Sequence, residues 1–229
     1  MKLLAIDSST DWISVAAGDA QARALFEEPA SNAHSERVMP LVRQALAQAG
    51  WHLRELDAIA FGAGPGAFTG VRIACAVAQG LALGAGIPVL PVGTLEAIAD
   101  EARRLHGADQ VLAALDARMR EVYFAAYVRE HDGWREVTAP AVASPDAVAV
   151  PRAQWVAAGD GFVRYPALAA RLGIVRVEGD VRPSARAILA LAAPRFAAGD
   201  AVPARDALPV YVRHRVALTL AERDAGVRL

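Results

Sequence analysis

Along the first hundred residues, apolar positions switch between strand-like and helix-like spacing. Residues 2–7 are an apolar run closed by Asp7, the pattern of a buried strand, and Ser8-Ser9-Thr10 reads as a turn. Residues 12–18 and 22–28 alternate or run apolar around Gly18-Asp19, which predicts a hairpin; the first two strands read as another. Within residues 34–49, Val38, Leu41, Val42, Ala45, Leu46 and Ala49 keep helical spacing, and Gly50 supplies a stop. Pro40 either starts the regular helix or bends it after one turn. A strand over 58–62, a helix over 70–84 and a strand over 87–92 follow. Thr94 is placed to cap a helix that ends near His106-Gly107 and leaves this unit.

The pattern then starts again. Strands are predicted over 111–116, 121–128, 155–159 and 174–177, and helices over 165–172 and 184–198, with Gly133 marking a turn. No sequence repeat accompanies this restart, but its layout is that of a duplicated α/β fold. It divides the chain into a first subdomain over 1–98 and a second over 99–210, with the tail 211–229 expected to pack back on the first. Residues 209–213 (Pro-Val-Tyr-Val-Arg) read as a strand or docking segment, with Arg213 turned to a partner or to solvent.

Composition adds limits. The chain has 229 residues, a formal net charge of −1 and 55% hydrophobic residues, of which 53 are alanine. The larger apolar residues are therefore present at an ordinary level for a globular protein. Near-neutrality argues against independent nucleic-acid binding, which needs a basic face. Cys75 is the single cysteine, so there is no internal disulfide and no cysteine-built zinc site. Asp7 interrupts the N-terminal apolar run too early for a signal peptide. Residues 73–95 carry no formal charge and are long enough for a membrane span, but Gly84, Gly86, Pro88 and Pro91 divide them into helix, turn and strand. The expected setting is the cytoplasm.

Several positions carry candidate chemistry. Asp7, Ser8 and Thr10 at a strand end suit a metal-bound phosphate, or simply a tight turn. Residues 62–70 hold four glycines and a proline between a strand and a helix, suited to an anion at a helix N-terminus or to close packing of that helix. Neither nucleotide fingerprint is satisfied: Pro65 disturbs the dinucleotide pattern, and Lys2 is the only lysine, so there is no P-loop. Ala74, Ala78 and Ala82, with Ala76, Gly80 and Gly84 beside them, offer small-residue faces for another helix. Asp116 and Glu121 form either a carboxylate pair or an arginine–acid network with Arg118 and Arg120. The histidines at 34, 52, 106, 131 and 214 show no helical metal-ligand spacing; His34 reads as a capping or interface residue.

Taken together, these motifs resemble one family. Leu4-Ala5-Ile6-Asp7-Ser8-Ser9-Thr10, His34-Ser35-Glu36 with Pro40, residues 64–73 (Gly-Pro-Gly-Ala-Phe-Thr-Gly-Val-Arg-Ile), Ala78-Gln79-Gly80-Leu81-Ala82, Asp116-Ala117-Arg118 and Glu121-Val122-Tyr123 are similar in order and spacing to the TsaB (YeaZ) family. These are glycoprotease-like bacterial proteins of tRNA threonylcarbamoyladenosine biosynthesis. The match runs from residue 2 to about 128 and returns at 209–213; residues 130–205 match loosely.

The resemblance implies two subdomains of the actin, sugar-kinase and chaperone-ATPase fold, built on a ribonuclease H-like unit. It also implies a non-catalytic partner of the threonylcarbamoyltransferase TsaD, which modifies adenosine 37 of tRNAs reading codons that begin with A. Such a partner activates TsaD, helps recruit the ATPase TsaE, forms homodimers in isolation, and meets tRNA only through the complex. The paired metal-binding histidines of TsaD are missing here, so neither a catalytic residue nor a metal is expected. The pairing surface falls on His34, Val38, Leu41, Val42 and Ala45 of one helix and Arg72, Ala74, Ala78 and Ala82 of the other. No cofactor is required, and ATP or ADP would bind weakly, at Asp7, Ser8 and Thr10. The alternatives are an ATP-binding phosphotransferase of the same fold, motivated by Asp7 and the glycine loop, and a metalloprotease, motivated by kinship alone.

Overall fold

The computed structural model describes residues 1–213 apart from Ser31, Asn32 and Asp132; the expected tail at 214–229, with His214, lies outside the described residues. The first unit runs β1 (Leu3–Asp7), β2 (Trp12–Gly18), β3 (Ala22–Pro29), α1 (His34–Ala49), β4 (Ala58–Gly64), α2 (Phe68–Ala85), β5 (Val89–Gly93) and α3 (Thr94–His106). The second runs β6 (Gln110–Asp116), β7 (Val122–Glu130), β8 (Gly133–Ala143), β9 (Val156–Ala158), α4 (Asp160–Arg164), α5 (Ala167–Arg171), β10 (Arg176–Glu178) and α6 (Ala185–Ala198). Gly50, Gly86, Gly107 and Gly199 close α1, α2, α3 and α6 in the left-handed conformation expected of helix C-caps. Pro40 lies inside α1 rather than at its start.

The duplication is explicit in the sheets. The first has the order β3-β2-β1-β4-β5 and the second β8-β7-β6-β9-β10, so each strand of one unit has a counterpart in the other. In both, the opening strands pair antiparallel and the remaining ones join parallel. This is the ribonuclease H-like unit used twice, the two-subdomain actin, sugar-kinase and chaperone-ATPase fold. Both first strands, β1 and β6, end on an aspartate, Asp7 and Asp116.

The core is layered. α1 and α2 cover the outer face of the first sheet, packing Val38, Leu41, Ala74 and Ala78 against Ile6, Ile13, Ile59 and Phe61. Its inner face carries Ala5, Ala16, Ala58 and Ala60, small enough for the alanine-rich α6 to approach closely. α3 instead covers the second sheet, with Leu95, Ile98 and Ala102 against Val111, Ala113 and Ala125. α4 and α5 close that sheet's far side through Phe162 and Leu168. The two units thus exchange their last helices, and α3 meets α6 at the centre.

That exchange changes the expected division of the chain. A boundary at 98 falls inside α3, and the return to the first sheet begins at α6, well before residue 211. After α6, Val202 bridges to Val89, and Val210 N–H donates to the Ala63 carbonyl at 2.7 Å. Residues 209–213 therefore dock as expected, though not as a strand. Thr94 is the first helical residue rather than the cap; its Oγ1 accepts from Gly64 N–H at 3.1 Å, tying α3 to the end of β4. The strand β8 escapes a reading by alternation because it is a half-exposed edge with Pro140 and two charges, Arg135 and Glu136, which edge strands tolerate.

Candidate functional site: an inter-subdomain cleft and the helix face beside it

A cleft of about 200 Å³ opens where the two units meet. One wall is the turn after β1 (Ser9, Thr10, Asp11) with the start of α2; the other is the corresponding turn after β6 (Asp116, Ala117, Arg118) with Asp160 at the start of α4. Residues 210–213 form its rim. The second turn is strained, because Arg118, Met119 and Arg120 take consecutive positive φ values of 60°, 54° and 61°. It is held by its own charges. Asp116 accepts from Arg118 N–H at 3.0 Å and pairs with its guanidinium at 3.2 Å, while Arg213 donates to the Ala117 carbonyl at 3.0 Å and to Glu121 at 2.5 Å. Asp116 and Glu121 are thus separate arginine partners rather than a carboxylate pair. The Arg213 side chain is 13% exposed and is engaged within the chain rather than turned to solvent.

The first turn is closed by the glycine loop. Ser8 Oγ donates to the Gly70 carbonyl at 2.7 Å, and Ala67 N–H donates to the Ser9 carbonyl at 2.7 Å. A Cβ on Gly70 would stand 1.8 Å from the Ser8 carbonyl oxygen, and one on Gly62 would stand 2.0 Å from Asp7 Oδ1. These glycines are required for close approach of the loop to the turn. Asp7 and Ser8 are consequently buried and do not face the cleft, while Thr10 does. The expected phosphate turn at Asp7, Ser8 and Thr10 is corrected in this respect: its acid and first hydroxyl are covered by residues 62–70. Asp7 Oδ2 accepts from Ser9 N–H and Ser9 Oγ, whereas Oδ1 is buried without a hydrogen-bond partner. Burial pushes the Asp7 carboxyl up to about 6, against the lowering effect of those Ser9 bonds.

Chemically, the cleft offers acids (Asp11, Asp116, Asp160), the Arg118 and Arg213 cations and the aromatic rings of Phe68, Tyr123 and Tyr211. Its lining contains no histidine or cysteine among the described residues. His34 sits one layer behind, buried, with Nε2 donating to the Thr10 carbonyl at 2.9 Å; it steadies the turn and caps nothing.

The helix residues singled out for partner contact divide sharply. Val38, Leu41, Val42, Ala45, Ala74, Ala78 and Ala82 are all within 2% of complete burial, and His34 is also buried. They bind α1 and α2 to the first sheet, so they are not a free surface; only Arg72 of the expected set is exposed. The neighbouring face of α2 is the open one. Arg72, Ala76, Gly80 and Gly84 follow each other at four-residue spacing on the exposed side, and a Cβ on Gly80 or Gly84 would meet nothing within 4 Å. Phe68 and Leu83 extend this face, 52% and 59% exposed. Arg72 lies over the Phe68 ring, 3.3 Å from its centre, and donates to Tyr211 at 2.9 Å. The helix is long and apolar enough to cross a membrane, but its alanine stripe belongs to the core.

Comparison with known proteins agrees with the fold and the motifs. The family model for TsaD, tRNA N6-adenosine threonylcarbamoyltransferase, matches residues 27–170. The tRNA threonylcarbamoyladenosine biosynthesis protein TsaB of Escherichia coli is 42% identical, over 95% of this chain and 96% of its own. The solved structure of YeaZ from Pseudomonas aeruginosa is 41% identical and superposes with a TM-score of 0.83, over 92% of this chain and 99% of that one. At 7% identity, the activator of the 2-hydroxyisocaproyl-CoA dehydratase from Clostridium difficile shares the fold alone, with a TM-score of 0.50 over 87% of this chain and 97% of its own. With identity of this order extending over nearly the whole length of both proteins, the chain belongs to the TsaB family of tRNA threonylcarbamoyladenosine biosynthesis proteins.

Proposed function

We propose that this chain works in threonylcarbamoyladenosine formation as a non-catalytic, cytoplasmic subunit: it pairs with TsaD, activates it, and helps recruit TsaE. The observation that carries the reading is the outward face of α2, a ridge of Arg72, Ala76, Gly80 and Gly84 flanked by exposed Phe68 and Leu83. Small residues at four-residue spacing let a partner helix come close, and the apolar flanks reward its approach. A second copy of the chain uses the same face in a homodimer until TsaD replaces it. The tRNA is held by the assembly, in keeping with a net charge of −1.

Two further features support a subunit rather than an enzyme. The sequence has no histidines at the spacing of a helical metal pair. The glycine loop covers Asp7 and Ser8, the groups that a phosphotransferase of this fold would need open. The cleft then holds any nucleotide weakly, at Thr10 and the opposite turn. The test is reconstitution. Purified chain alone should neither turn over ATP nor modify tRNA, and its addition should raise modification by TsaD in the presence of TsaE. ATP turnover by the chain alone would favour the phosphotransferase.

A further inference from the structure

At β10, the edge strand of the second sheet, side chains from two distant parts of the sequence converge on a cluster that is not part of the cleft lining. His106 is the last residue of α3, Glu178 the last of β10, and Asp180 follows two residues later. One donor atom from each lies within 4.8 Å of the other two. We propose that His106, Glu178 and Asp180 bind a first-row divalent cation, with Zn²⁺ the best match.

Geometry and chemistry both point this way. Nδ1 of His106 is 3.5 Å from Oε2 of Glu178. With metal–nitrogen and metal–oxygen bonds of about 2.0–2.2 Å, neighbouring ligands of a tetrahedral site stand about 3.4 Å apart, so this pair already has the spacing of one edge. The pair is also pre-set. Arg176 donates through Nε to Glu178 Oε1 at 2.9 Å and through Nη2 to the His106 carbonyl at 2.7 Å. One guanidinium therefore fixes both elements and leaves Oε2 turned to the histidine. Asp180, exposed, closes the third position with little rearrangement.

The local charge favours a dication. Two carboxylates outweigh Arg176, and the C-terminal end of the α3 dipole adds negative potential. The nearby Arg103 and Arg104 are neutralised by Asp109 at 2.9 Å and Glu101 at 2.7 Å. One imidazole with two carboxylates selects zinc and its neighbours over magnesium or calcium, which prefer all-oxygen shells. Tying α3 to β10, the cation would brace the second sheet against the helix supplied by the first unit.

The test uses the full chain, free of any affinity tag and stripped with chelator. Calorimetric titration with ZnCl₂ should show one saturable equivalent, and the melting temperature should rise with zinc. His106→Ala and Asp180→Asn should each weaken binding at least tenfold. Asp180 is exposed, so its variant keeps the fold and preserves the His106–Glu178 pair. Millimolar MgCl₂ should not compete. Absence of saturable heat, or unchanged affinity in both variants, would overturn the assignment.

Discussion

Gly70→Ala should destabilise this protein, while Gly80→Ala, the same change in the same helix, should stabilise it. At position 70 the added Cβ lies 1.8 Å from the Ser8 carbonyl oxygen, where real contacts stay above 3.0 Å. The obstacle is backbone, so the first turn of α2 must withdraw by about 1.2 Å. Withdrawal breaks the hydrogen bond from Ser8 Oγ to the Gly70 carbonyl, about 1 kcal/mol net. Strain in the packed joint adds about 1–3 kcal/mol. The sum is about 2–4 kcal/mol, or a fall in Tm of roughly 5–15 °C for a chain of this size. At position 80 nothing stands within 4 Å. There the change only removes backbone freedom from the unfolded chain, a gain of about 0.5–1 kcal/mol. Thermal and urea denaturation of the two variants beside the parent would measure both. A Gly70→Ala protein melting within about 2 °C of the parent would refute the claim that the loop is glycine-rich in order to close over the turn.

Two other outcomes follow from the site. Asp7 titrates at about 6 when folded and near 3.8 when unfolded, so the folded state holds its proton more tightly. Stability from this group is full below pH 3.8 and is lost as pH rises to about 6, a difference of about 3 kcal/mol. Asp7→Asn should therefore be more stable than the parent at pH 7.5, with the advantage shrinking toward pH 4 in denaturation series; an advantage independent of pH would contradict the assignment. Arg213→Ala removes the link from residues 210–213 to the strained turn, which should speed hydrogen exchange at the Val210 amide about ten- to a hundredfold while leaving global Tm nearly unchanged.

Much of the fold was legible in the sequence because its strands are short apolar runs bounded by glycines and its helices keep regular spacing. β1, β2, β3, α1, α2 and α6 lie where the pattern predicts them. The duplication could be suspected from the restart near residue 110, but the matching strand orders have no sequence signature because different side chains fill the two copies. The exchange of α3 and α6 is only half visible in the sequence: α3 leaves its unit by pattern, while α6, alanine-rich with Arg186 and Arg195 as its charges, gives no sign of which sheet it joins. The expected pairing residues lie one ridge away from the exposed face of α2. Ala74, Ala78 and Ala82 and the neighbouring Ala76, Gly80 and Gly84 look alike in sequence, and only packing on Phe61 and α1 decides which set is buried. The His106 cluster could not be found by spacing, because its members come from a helix end and a strand end far apart in the chain.

The central claim, pairing with TsaD through the outward face of α2, is tested most directly by calorimetric titration of purified TsaD into the parent chain, Gly80→Arg and Leu83→Glu. Both positions are exposed, so neither change should disturb the fold of the single chain, as its far-UV circular dichroism would show. The parent should form a saturable complex, and each variant should bind at least tenfold more weakly, a loss of about 1.4 kcal/mol or more. Parent-like affinity in both variants would place the partner elsewhere and contradict the account.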